Sequence, residues 1–394
     1  MPLRLTHPED VPAVPAEGGE RVAARGLLDA ARRVVDPLAV AVILIVVAWW
    51  WLTLAVQATP GDWAFDFRQF WQGGKDVVDG VSPYPSAALL ATAGDHLDPE
   101  GIREVFRFPY PAGAAVLLAP FGLLGFHAAA AVWSALLIGS VLAALWILGV
   151  RDWRVLGIVV TAAPVITAVR LGTFTPLLVL LLAAAWRWRD RRWAAGSALG
   201  LAITLKLFVW PVVVWLLATR RYGAAVIAAG LAGILTFGAW AAIGFDGLTR
   251  YPELLRRLTD VVADRGLSLV ALGSELGLPD IVAGVLPWVV GLALLTAVVL
   301  AARAPDGDAV AYSFAIVASI ALTPIVWLHY FSLLVLPLAV LRPRFAWPWV
   351  LLWVFWLMPD QENQGELWRI ALAAGLTGVL LGFVARSTRR PGLR

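Results

Sequence analysis

From Arg192 to Arg220 the chain reads RWAAGSALGLAITLKLFVWPVVVWLLATR, 27 residues between two arginines, almost all apolar, with Lys206 in the middle. Arginine clusters mark the cytoplasmic face of a membrane protein, so both ends of this stretch are expected on one side. Leaving and returning within that length gives limbs of about 20 Å at 1.5 Å per residue, short of a ~30 Å apolar core. Short or broken helices are tolerated where their tips line a watery cavity enclosed by protein. The tip of this hairpin would carry Lys206. An ionisable residue at membrane depth is a functional suspect by default.

The same spacing recurs twice. Between Arg154 and Arg187 lie 32 residues, with a tip near Arg170-Leu171-Gly172-Thr173; between Arg303 and Arg342 lie 38, with a tip from Thr323-Pro324 to His329. Further arginines at 21–33, 220–221, 342–344 and 386–394 place both termini in the cytoplasm, while acids dominate 58–110 and Met358 to Glu366 on the outer face. Apolar runs at 38–57, 127–150, 223–244, 287–303, 346–358 and 368–385 are read as crossings, and the Pro- and Gly-rich 111–126 reads as re-entrant. The expectation is an all-α polytopic membrane protein with roughly 9–12 transmembrane or re-entrant helices. Residues 1–37 read as a disordered cytoplasmic tail, 38–386 as one integral-membrane domain, and 387–394 as a cytoplasmic tail. Within the domain, 58–110 forms a long first extracytoplasmic loop and 245–286 a second.

Composition agrees with a membrane protein. The 394 residues are 60% hydrophobic and 15% charged, with mean hydropathy +0.80. No strand-length alternation suggests a β-barrel. The first apolar run is too long and too far from the start for a cleavable signal, so it is read as an anchor. No cysteine is present, which excludes disulfides and thiol chemistry. His7, His96, His127 and His329 show no metal-ligand spacing, so neither metal nor cofactor is expected. The net charge of +4 is spread over short loops and argues topology, not nucleic-acid binding. Phosphate-loop, nucleophile-elbow and zinc-protease motifs are absent. Abundant Ala, Gly, Val and Arg, with lysine only at 75 and 206, suggests a GC-rich bacterium and its cytoplasmic membrane.

Four groups could carry chemistry. Asp66 stands among Trp63, Phe65, Phe67, Phe70 and Trp71, just past the anchor, in what reads as an interfacial amphipathic helix. It is either an ordinary interfacial acid, diluted by Asp62, Asp76 and Asp79, or a general base. Lys206 is either a snorkelling lysine or a buried point charge for a phosphate. Arg170 is a weaker case of the same kind. His329, beside Pro324, Trp327 and Tyr330, is either a satisfied core histidine or a group for phosphate or sugar. Tyr84 and Tyr110, each flanked by prolines, read as loop-shaping residues.

These residues resemble glycosyltransferase family 87, the polyprenyl-phosphate-mannose-dependent α-mannosyltransferases of the GT-C superfamily. The similarity is carried by Asp66, Phe67, Phe70, Gly80, Pro83 and Tyr84, then by Pro109-Tyr110-Pro111 and Ala119-Pro120-Phe121. It continues through Gly200 to Lys206 and through Thr323-Pro324-Ile325-Val326-Trp327-Leu328-His329-Tyr330. The chain departs from the family at Gly172-Thr173, where Gly-Gln is common, and at Gly266-Leu267-Ser268, where Asn-x-Ser is common. The resemblance implies a GT-C-type fold and a polyprenyl-phosphate sugar donor lying among membrane lipids, with a lipid-linked or glycan acceptor at the outer face. It implies inverting transfer of a hexose, mannose in the first instance, with Asp66 as base and Lys206, His329 and Arg170 around the donor phosphate. Phe70, Tyr84, Trp327 and Tyr330 would contact substrate. With one obvious acid there is no carboxylate cluster, so metal independence is expected. A transporter or lipid flippase is the alternative, since broken hairpins with charged tips also serve transport.

Overall fold

The computed structural model describes residues 63–86, 105–358 and 365–387. The N-terminal tail 1–37, the anchor 38–57, Asp62, part of the first loop and the end of the C-terminal tail fall outside the described residues. Those described form helices and no strand. Helix α1 (Phe65–Val78) belongs to the first loop. Then come α2 (Ala112–Gly122), α3 (Phe126–Ile147), α4 (Trp153–Thr161), α5 (Ala163–Leu171) and α6 (Thr175–Arg187). Helices α7 (Arg192–Leu205), α8 (Pro211–Ala218) and α9 (Tyr222–Ala242) follow. The second loop contains α10 (Tyr251–Val262) and α11 (Leu269–Glu275). The chain ends with α12 (Asp280–Ala302), α13 (Asp308–Ala321), α14 (Val335–Leu341), α15 (Leu351–Val354) and α16 (Leu367–Ser387).

The chain is a polytopic membrane protein. Among the described residues, α3, α9, α12 and α16 are each long and apolar enough to cross a bilayer, and α4 with α5, bent by 55°, is either a fifth, broken span or a re-entrant pair. Helix α12 begins seven residues before the apolar run at 287–303 because Pro287 is accommodated inside it. The run at 346–358 behaves differently. It breaks into a 3₁₀ turn at Trp347–Val350, α15, and a second 3₁₀ turn at Phe355–Leu357. Two of its four indoles turn toward the α4–α5 bend. Trp353 Nε1 donates to Thr161 Oγ1 at 2.9 Å, and Trp356 Nε1 donates to the Thr161 carbonyl at 2.8 Å. Pro164 has no N–H to offer at that bend, and these indoles satisfy polar groups that the bend leaves free.

The three expected hairpins are built from short limbs. Helix α6 has 13 residues, and α7 and α13 have 14 each, about 20 Å apiece. Each tip is non-helical, at Gly172–Phe174, at Lys206, and across 323–327. Pro176, Pro211 and Pro324 stand at or just after these breaks, where a missing backbone donor costs least. Small residues bring α7 and α9 together. A Cβ at Gly196 would lie 2.7 Å from the Ala224 carbonyl oxygen, and one at Gly200 2.9 Å from that of Ala228. Without a hydrophobic force between helices in lipid, such close backbone approach supplies the packing.

The ends opposite the tips are tied by ions. Asp308, at the start of α13, accepts from Arg189 Nε at 2.9 Å, from Arg221 at 2.8 and 2.9 Å, and from Trp215 Nε1 at 2.7 Å. Arg221 also pairs with Asp190 at 3.0 Å. Three arginine-bearing loops, 188–191, 219–221 and 303–308, therefore meet at one end of the molecule.

Candidate active site

Helix α1 presents Asp66 in its first turn, where the helix dipole favours a negative charge. The start of the helix is pinned: Ala64 is left-handed (φ 57°) and its N–H donates to the Arg170 carbonyl at 2.8 Å. Phe67 and Phe70, three residues apart, turn into the protein and are fully buried. The apolar face of α1 thus packs on protein. Phe67 stacks on Trp133 at 5.4 Å, and that indole donates to the Gly172 carbonyl at 2.8 Å. Gly172 has φ +74°, and a Cβ there would lie 2.6 Å from Phe67 Cβ. Glycine is required at this tip both for its backbone and for space. The hydroxyl of the buried Thr173 is engaged with Thr175 at 3.2 Å.

Lys206 ends α7 in an extended conformation, so its side chain leaves the helix axis at the tip. Nζ donates to the Tyr330 hydroxyl at 3.1 Å. It also lies 4.4 Å from the Tyr330 ring centroid and 5.8 Å from those of Tyr110 and Phe208, an aromatic surround that favours a cation. His329, in the 3₁₀ turn Leu328–Leu334, is 2% exposed with neither ring nitrogen hydrogen-bonded. Its ring lies 4.8 Å from that of Tyr330, within electrostatic reach of Lys206. A buried, unpaired polar group is costly enough to need an explanation.

Asp66 and Lys206, remote in sequence, act on one another electrostatically. Burial pushes the Asp66 carboxyl up to about 6, and the Lys206 charge draws it partly back. The carboxylate is half-buried and has no hydrogen-bond partner among the described residues. The competing acids are spoken for. Asp76 accepts from Gln72 at 2.9 Å and pairs with Arg107, and Asp79 pairs with Lys75 at 2.6 Å.

The remaining sequence candidates fall in different places. Tyr330 joins Lys206 and His329 directly. Arg170 meets α1 through its carbonyl, and its half-buried guanidinium has no partner among the described residues. Trp327 is half-buried at the mouth of the 3₁₀ turn. The Leu267 N–H donates to the neighbouring Val326 carbonyl at 2.6 Å, which ties the second loop to this tip. Phe70 stands behind Tyr110, their rings 4.5 Å apart. Tyr84 stacks on Trp240 at 4.7 Å and donates its hydroxyl to the Tyr110 carbonyl at 2.8 Å. Tyr251 donates to the Pro109 carbonyl at 3.4 Å.

Tyr110 and Tyr251 were not singled out for chemistry by the sequence. The flanking prolines of Tyr110 signal only a rigid turn, and nothing local relates that turn to Lys206. Among the described residues, no three His, Asp or Glu side chains are grouped as metal ligands would be. Asp66 contributes a carboxylate, and Lys206, His329 and Tyr330 contribute a cation, an imidazole and a phenol that touch one another.

Comparison with known proteins agrees in outline. The sequence model of glycosyltransferase family 87 matches residues 108–326. The chain is 26% identical over 372 residues to a polyprenol-phosphate-mannose-dependent alpha-(1-2)-phosphatidylinositol pentamannoside mannosyltransferase of Mycolicibacterium smegmatis. That alignment covers 81% of this chain and 85% of the relative. No solved structure matches the chain.

Proposed function

Because the chain belongs to glycosyltransferase family 87 and is a membrane sugar transferase, we propose that it moves a hexose, mannose foremost, from a polyprenyl-phosphate donor to a hydroxyl of a lipid-linked or glycan acceptor. The Mycolicibacterium relative supports the donor class by its name. Asp66 takes the proton of the acceptor hydroxyl as that oxygen attacks the anomeric carbon from the face opposite the phosphate. The bond from anomeric carbon to phosphate oxygen breaks with its electron pair, and configuration inverts. Lys206, with His329 beside it and with Arg170 at the 170–174 tip, offsets the charge that grows on the departing polyprenyl phosphate. The phosphate leaves ionised, so no protonated acid is needed. An acid with a pKa of about 6 is largely ionised at neutral pH and still more basic than a free aspartate. Since the reaction needs one base and one cation, it is expected to proceed with a divalent-metal chelator present. By the positive-inside rule the arginine-rich end lies in the cytoplasm and the site at the outer face.

The observation that carries this reading is the electrostatic coupling of Asp66, in the first turn of α1, to Lys206 at the α7 tip, while Asp76 and Asp79 have other partners. The test is transfer by the purified protein from polyprenyl-phosphate mannose to a phosphoinositol-mannoside acceptor. Asp66→Asn should lower kcat by about 10²–10⁴ with the fold intact, as expected for a lost general base. An Asp66→Asn enzyme with full kcat would remove that residue from the mechanism. Movement of lipid across sealed vesicles without covalent change would favour the transport alternative.

A further inference from the structure

Tyr110 borders both chemical halves of the site. On one side its ring lies 5.8 Å from Lys206 Nζ. On the other, the Asp66 carboxylate acts on its phenol electrostatically, as does Tyr330. The ring is braced from behind, with Phe70 at 4.5 Å and Phe174 at 6.0 Å. Its backbone is bolted from two loops, since Tyr84 donates to the Tyr110 carbonyl and Tyr251 to that of Pro109. The phenol itself is only half-buried and has no hydrogen-bond partner among the described residues. Burial and the neighbouring carboxylate keep it protonated, hence a donor. A side chain held this firmly, with its one polar atom left free and with the base and the cation both in reach, is organised to meet a substrate.

Resting on the glycosyltransferase reading above, we propose that Tyr110 is a substrate-contact residue that holds the transferred sugar, its ring beneath the pyranose and its hydroxyl bonded to a sugar oxygen. In the proposed reaction the sugar must sit between Asp66 and the phosphate beside Lys206, and Tyr110 flanks that position. A protonated phenol at a rigid angle reads hydroxyl configuration, so the contact also bears on which hexose is accepted. The residue serves the sugar and Lys206 serves the phosphate, and that division can be measured without turnover.

The experiment compares binding of polyprenyl-phosphate mannose and of bare polyprenyl phosphate to the full-length protein in nanodiscs. Wild type should prefer the sugar-bearing lipid by about threefold to tenfold, the range of one or two neutral hydrogen bonds. Tyr110→Phe, which keeps the ring and its packing but loses the hydroxyl, should cut that preference by about twofold to tenfold, the worth of one hydrogen bond, while leaving bare-lipid affinity and Tm unchanged. Lys206→Gln should weaken both lipids together. If Tyr110→Phe keeps the preference, or wild type shows none, the sugar contact is overturned while the donor reading stands. If wild type binds neither lipid, the donor reading falls and the contact with it.

Discussion

The two ends of this molecule hold the same kinds of charged residue in opposite states. At the arginine-rich end, Asp308 accepts four hydrogen bonds from two arginines and an indole. At the site end, Asp66 faces Lys206 without a hydrogen bond from it, Arg170 has no partner among the described residues, and His329 is buried with both nitrogens free. The contrast separates structure from chemistry. A carboxylate surrounded by donors ties three loops and has little freedom left to take a proton. One kept short of donors costs stability and stays reactive, and such costs gather at functional sites.

The comparison can be broken most sharply at Lys206. Lys206→Gln should lower kcat by about 10²–10³, as when one charge stabiliser is removed from a transition state, with Tm little changed. If donor KM alone rose at constant kcat, Lys206 would be a ground-state anchor and the site less specialised than argued. At the other end, Asp308→Ala should destabilise by about 2–3 kcal/mol, since Arg221 and Arg189 lose a shared, partly buried partner. The check is denaturation in detergent, together with kcat of the fraction still folded, which should equal wild type.

Two smaller effects concern Asp66 itself. As the base it must be ionised, so kcat/KM should fall about tenfold per pH unit below about 6 and level off above; a rate–pH profile with no inflection there would detach Asp66 from the proton transfer. The same raised pKa acts on stability with the opposite sign to a paired acid. Between about 4 and about 6 the folded state binds the proton more tightly than the unfolded chain, so stability declines as pH rises through that window. At neutral pH Asp66→Asn should thus be more stable than wild type by about 1–2 kcal/mol, after allowance for the partly solvated carboxylate. An equal or lower Tm would mean that the carboxylate is satisfied after all, and the contrast between the ends would weaken.

Much of this could be read directly. Arginine spacing alone located three short hairpins and their tips, because membrane thickness and helix rise leave few ways to fit 27 to 38 residues between same-side anchors. The long crossings at 127–150, 223–244 and 368–385 followed from apolar length and match α3, α9 and α16 within a few residues. The run at 346–358 misled because hydropathy cannot see that Trp353 and Trp356 are turned to serve the α4–α5 bend. The shared Gly172 and the departure at Gly266 each have a packing reason that composition hides. A Cβ at the first would strike Phe67, and one at the second would lie 2.7 Å from the Val326 carbonyl oxygen.

Residue type and spacing were enough to say that this chain crosses a membrane in broken helices with Arg170, Lys206 and His329 near their tips and Asp66 in the first loop, because those facts depend on transfer energies and lengths along one chain. Which acid remains available, and that Tyr110 lies within reach of both Asp66 and Lys206, depended on contacts among residues distant in sequence. Asp66, Asp76 and Asp79 are alike as letters. They differ only because Arg107 reaches one, Lys75 another, and neither reaches the third.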